Sequence, residues 1–221
     1  MKRAFFDTNL IIAYLFFLNS LHLQSKEAFK IYDELYWSNF VQEEFNHRFL
    51  IKQKYLKLFF NDLQKYLQNP NQEFYSYFDL KNFALDNYSG KFMEDVKSSI
   101  SPFWNEYFGI ETQISFLDIK KAINYCLKDL SITLNSNKKD LENIMHLTPK
   151  RTNDYPDIDI LLKNNRVSDE DRIVILDGHD FACFSSDPID FVTFDNDCFN
   201  GANGLEMLCF ESVKGKHDFK Y

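Results

Sequence analysis

Two short apolar runs, "RAFF" at residues 3–6 and "FVTF" at residues 191–194, each end on an aspartate, Asp7 and Asp195. An ionised carboxylate at the border of a buried core costs on the order of several kcal/mol unless something pairs with it. Both runs read as strands, and helical stretches alternate with strands at the two ends of the chain. That alternation implies a parallel α/β sheet. In open α/β sheets, sites form beyond the carboxyl ends of strands, so both aspartates are expected at one rim.

The pattern predicts a buried helix after "DTN", over residues 10–17, and a second helical stretch over 26–35 with Ala28, Ile31 and Leu35 apolar. "ELYWSNF" reads as a strand of about three residues that meets Ser38, an N-cap for a helix carrying "VQEEF". Residues 46–165 read as mostly helical, low in glycine and interrupted by "QNPNQ", "SPFW" and "LTPKRTNDYPD". No repeat and no Gly/Ser linker marks them off. In the tail, "SDEDRIVILDGHDFACF" reads as a helix with Ser168 and Asp171 at capping-box spacing. "IDFVTFDND" reads as a strand ending in acids, and "LEMLCF" as a last strand. The expected fold class is α/β: a parallel central sheet flanked by helices, with a large all-helical insertion in the middle. It is read as a single domain over 1–221, its core from 1–45 and 166–213 and the insertion at about 46–165.

Hydrophobic residues make up 45% of the chain and 24 residues are Phe, which marks a core-building sequence rather than a disordered one. The formal charge of -8 argues against a polyanion binder held by overall charge, although a local basic patch or a bound cation reverses the sign at one site. Cys126, Cys183, Cys198 and Cys209 are scattered without a CxxC motif, so zinc is not expected and a reducing cytosol is the simple reading. The apolar start is broken by Asp7 and Asn9, lacks a cleavage site, and falls short of the ~20 residues that span a bilayer. The protein is read as soluble and cytoplasmic, with no membrane partner.

At about 100° per residue, Asp171 shares a helix face with Val174, Ile175, Gly178 and Ala182, a stripe suited to close packing on a sheet. Asp177 is displaced by about 120° and Asp180 by about 180°, which makes them flank or solvated positions. Asp171 is the better candidate, with Asp177 the fallback. Of the adjacent pair Glu43 and Glu44, one should face solvent. Taken one at a time, Asp7 and Asp195 also suit helix caps or turns.

With these residues in view, the chain resembles the PIN-domain nuclease family. "FFDTN", "SNFVQEE", "SDEDRIVIL" and "FVTFDND" carry the resemblance, over residues 1–45 and 166–213. It implies an acidic site of Asp7, Glu44, Asp171 and Asp195, supported by Asn9 and Thr193. Glu44 is preferred because the family's acid follows an apolar residue, here Val41, by three. An alignment of the third acid on Asp177 also keeps a family-like distance to Thr193. The activity implied is metal-dependent hydrolysis of RNA phosphodiesters. Crowded carboxylates raise one another's pKa, and a hard divalent cation relieves the repulsion. All-oxygen ligands select Mg²⁺ or Mn²⁺ over zinc. Asp7 and Asp195 are the principal expected metal ligands, with Glu44, Asp171 and Asp197 completing the set.

RNA, the expected partner, needs positive charge. The helix expected over residues 47–67 carries Arg48, Lys52, Lys54 and Lys57, the expected phosphate contacts. Its Phe49, Tyr55, Phe59, Phe60 and Tyr66 suit either a core or base-stacking platforms. An antitoxin or other protein partner and a homodimer fit the resemblance too, as do toxin, RNA-processing and defence roles. A haloacid-dehalogenase-type phosphatase needs a second aspartate where Asn9 stands. The alternative within the fold is a catalytically silent PIN-like RNA-binding or scaffold protein.

Overall fold

The computed structural model describes residues 1–69, 74–111 and 113–220, with side chains for all of these but 91 and 93. The expected turn at "QNPNQ" therefore lies mostly outside the described residues. The chain divides into two compact units, one of residues 1–14, 21–47 and 140–221, the other of 15–20 and 48–139.

The first unit is built on a five-stranded parallel sheet. Strand β1 (Arg3–Phe6) leads into helix α1 (Thr8–Leu15), then α2 (His22–Ile31), β2 (Glu34–Trp37) and the long α3 (Asn39–Tyr66). Strand β3 is Met145–Leu147, followed by α8 (Pro156–Asn164), α9 (Asp169–Phe184), β4 (Ile189–Val192), α10 (Asn196–Asn203) and β5 (Ser212–Lys214). The order is β3-β2-β1-β4-β5. β1 pairs Arg3 with Glu34 on one side and with Ile189 on the other. Phe5, Phe6, Leu35, Trp37, Phe191 and Val192 are buried, as strands covered on both faces require. Each large side chain so buried contributes about 1.5–3 kcal/mol. Arg3 ties the opposite end of the sheet together, 2.6 Å from Glu34 and 2.5 Å from Asp187.

Helix α9 lies close on this sheet. A Cβ on Gly178 would meet Phe5 at 3.1 Å and Phe210 at 3.2 Å, so the small stripe read from the sequence is a packing requirement. Val174 and Ile175 on the same stripe are buried.

Three expectations are corrected here. β3 falls inside the region read as all-helical, because three residues at a helix end carry too little periodicity to be seen. The last strand is Ser212–Lys214, not "LEMLCF", which forms turns before it. "VQEEF" and the following basic stretch belong to one continuous helix, since no Pro, Gly or cap interrupts them.

The second unit is helical: residues 48–66 of α3, α4 (Tyr77–Asn87), α5 (Gly90–Phe108), α6 (Phe116–Lys128), a π-helical segment (Asp129–Thr133), and the start of α7 (Leu134–Ile144). Its core is aromatic. Phe60 packs on Phe103 at 4.7 Å between ring centroids, and Phe59 on Phe83 at 5.9 Å. No helix among the described residues is long and apolar enough to cross a membrane.

Candidate functional site

The chain leaves β1 toward β2 on one side of the sheet and later returns to β4 on the other. The gap beyond β1 and β4 is therefore the topological switch point, where open α/β sheets place their sites. Asp7 follows β1 directly, and Thr193 and Asp195 follow β4.

The Asp7 backbone N–H donates to the Val192 carbonyl at 3.0 Å, extending the ladder to the rim. Asp7 is buried at 2% exposure. Its Oδ2 accepts the Thr193 hydroxyl at 2.7 Å. Burial pushes its carboxyl up to about 7; the Thr193 hydroxyl and the Thr8 backbone N–H oppose the rise, while the charges of Glu44 and Asp171 add to it. The fully buried Thr193 hydroxyl also accepts the Asp195 N–H at 3.0 Å, so one side chain couples both strand-end aspartates. Asp195 caps α10, its Oδ1 accepting the N–H groups of Asp197 at 2.8 Å and Cys198 at 3.0 Å.

Glu44 comes from the first turns of α3 and accepts the Thr8 hydroxyl at 2.6 Å. Its neighbour Glu43 is exposed, as a 100° step around the helix requires. Asp171 sits in the first turn of α9, where Ser168 caps the helix by accepting its N–H at 3.1 Å and donating to its Oδ2 at 2.7 Å. The buried Cys198 thiol is held well above its ordinary value, first by burial and then by Asp7, Asp171 and Asp195. That thiol thus senses three of the acids at once. Asn9 is half-buried in the first turn of α1, and Asp197 is exposed in the first turn of α10.

Asp177 occupies different surroundings. It lies 3.6 Å from the Arg151 guanidinium, and burial raises its carboxyl although the Ser38 hydroxyl and Arg151 counter the rise. Asp180, read as flank or solvated, is instead buried: it accepts the Tyr155 hydroxyl at 2.7 Å and the Thr152 N–H at 3.1 Å.

Glu44 and Asp171 thus act on Asp7 through their charges, and Asp195 is coupled to it through the Thr193 hydroxyl. Their donor set is all oxygen, and Asp7 is a buried carboxyl raised by that burial and by the charges of Glu44 and Asp171, so the residues fit a hard divalent ion. The grouping is open rather than closed: among the described residues, three ligand atoms within 4.8 Å of one another occur only at His179, Cys183 and Cys209. Mg²⁺ suits an open acidic rim because it keeps several waters and takes only one or two carboxylates.

In the second unit, considered by itself, Lys52 fails as a phosphate contact. It is 8% exposed, pairs with Asp95 at 3.6 Å, and burial lowers its pKa. Arg48 and Lys54 are exposed and Lys57 is half-exposed. Phe49, Phe59 and Phe60 are core. Tyr55 stacks on Phe92 at 4.5 Å and Tyr66 packs on Phe83 at 4.9 Å, so neither is an open stacking platform.

Sequence reasoning missed Thr8, although it stands inside the quoted "DTN". It also missed the Cys183–Cys209 disulfide, which corrects the reading of four reduced cysteines. The available signal was His179 and Cys183 at i,i+4 on one helix. Compared with known proteins, the chain matches no family model, and no curated protein or solved structure is significantly similar to it.

Proposed function

We propose that this protein is a metal-dependent nuclease of PIN-like architecture that hydrolyses RNA phosphodiester bonds. The observation that carries the reading is Asp7: a buried carboxyl at the switch point of a parallel sheet, raised to about 7 chiefly by burial and in part by the charges of Glu44 and Asp171. Such a group is costly to ionise in a metal-free chain and is matched by a Mg²⁺ or Mn²⁺ ion. Asp7 and Asp195 would be its principal ligands, with Glu44 and Asp171 holding it directly or through water. When bound, it would activate a water and stabilise charge developing on the phosphate. The chain's own part is positioning: Thr193 orients Asp7 against Asp195, Thr8 orients Glu44, and Ser168 orients Asp171.

The test is cleavage of mixed RNA and single-stranded DNA with Mg²⁺, Mn²⁺ or EDTA, comparing the wild type with Asp7→Asn. Metal-dependent cleavage of RNA that disappears in the variant supports the proposal. Cleavage that survives both EDTA and the substitution refutes it, and an intact substrate under every metal condition favours the silent scaffold.

A further inference from the structure

Helix α9 supplies Asp171 at its N-terminal end and a chemically different group at its other end. His179 and Cys183 are four residues apart and so share a face, and the segment between α10 and β5 brings Cys209 to them. The two sulfurs are joined as a disulfide. Cys183 Sγ lies 3.6 Å from His179 Nε2 and 3.8 Å from Nδ1. The Cys209 backbone N–H donates to His179 Nδ1 at 2.9 Å. The imidazole is buried and both cysteines are exposed.

We infer that His179, Cys183 and Cys209 form a thiolate–imidazole site for a soft divalent ion of the zinc class when the sulfurs are reduced, the disulfide and the metal being alternative states of the same three residues. The spacing fits. A tetrahedral ion with sulfur at ~2.3 Å and nitrogen at ~2.1 Å separates nitrogen from sulfur by ~3.6 Å and sulfur from sulfur by ~3.8 Å. Cys183 Sγ already lies at such a separation from the ring nitrogens and all three ligand atoms lie within 4.8 Å of one another, while the sulfurs must part. Nδ1, the ring nitrogen without a proton, accepts the Cys209 N–H, and on reduction that N–H must release it for its lone pair to reach the metal. Tyr155 packs edge-on against the ring at 4.5 Å and fixes its orientation. Asp180 is engaged by Tyr155 and Thr152 and is no ligand. Because the sulfurs face solvent, the fourth position falls to water, as in three-ligand zinc sites.

The redox step balances with a dithiol reductant. The protein disulfide takes two electrons and two protons, the reductant closes its own disulfide, and the metal then displaces the two thiol protons. Thiolates select zinc over Mg²⁺, so the group is distinct in chemistry from the acidic rim.

The test uses the full chain, reduced with dithiothreitol, desalted anaerobically and titrated with Co²⁺. One equivalent should bind with a thiolate-to-cobalt charge-transfer band, be displaced by one equivalent of Zn²⁺, and persist in excess Mg²⁺. The zinc-loaded protein should resist alkylation of Cys183 and Cys209, and the disulfide form should give no band. Replacing a ligand should cost more than the ~10–100-fold in affinity that follows loss of a ligand's supporting hydrogen bond, so Cys209→Ser and His179→Gln should each weaken zinc binding by at least ~100-fold. A reduced wild type that gives no charge-transfer band and no protection from alkylation overturns the proposal, as does equal binding by the disulfide form. These wild-type arms decide the matter even where a variant fails to fold.

Discussion

The two ends of helix α9 gather unlike ligands by the same device. At its N-terminal end, Asp171 adds its charge, with that of Glu44, to the buried strand-end Asp7. At its C-terminal end, His179 and Cys183 meet Cys209 with their ligand atoms within 4.8 Å. The first group is open, oxygen-only and strained by like charge. The second is compact, sulfur-rich and able to neutralise itself by forming a disulfide. A crowded set of carboxylates has no covalent escape of that kind: it protonates or it binds a cation.

That contrast breaks first at Asp7. Its carboxyl is raised from 3.8 to about 7 in the folded chain. Between about pH 4 and 7 the folded state therefore binds more protons than the unfolded one, and stability falls as pH rises, levelling off above 7. At 1.36 kcal/mol per pKa unit, Asp7→Asn should stabilise the metal-free protein at pH 8 by up to about 4 kcal/mol, with the gain vanishing below about pH 4. Urea unfolding across that range checks it. Added Mn²⁺ should then raise the wild-type Tm and leave the variant's unmoved.

The next effect belongs to the other end of the helix. The disulfide spans 26 residues and closes a loop through β4 and α10, so Cys183→Ser with Cys209→Ser should cost about 3 kcal/mol by loop-closure entropy. Chemical denaturation of the oxidised wild type against the double variant measures it. A loss near zero would mean that the C-terminal end of α9 holds its cluster by packing alone.

The smallest effect concerns the second unit. Lys54→Glu should weaken RNA binding and lower the salt slope by about one counterion. Lys52→Gln, at a buried position, should leave the slope unchanged. Filter binding at several salt concentrations separates the two.

Much of the acidic rim was legible because its signals are local. An apolar run ending in Asp and a Ser three residues before Asp171 are each read within a few positions, whereas the choice of Glu44 over Glu43 is what the resemblance implies. Topology then does the rest, since parallel strands at both chain ends must deliver their aspartates to one edge. The soft cluster was hidden for the opposite reason: Cys209 reaches His179 only through the return of the chain from α10 to β5, which no spacing rule encodes. β3 was hidden by its length, and Lys52 by tertiary packing that turns an apparently solvated lysine inward against Asp95.

The most direct measurement is the anomalous density of a crystal soaked in Mn²⁺. The account predicts an ion beside Asp7, within about 2.5 Å of a carboxylate oxygen or one water away, with Asp171 rather than Asp177 on its perimeter. An empty rim at saturating Mn²⁺, or an ion held by Asp177 and away from Asp7, would contradict it.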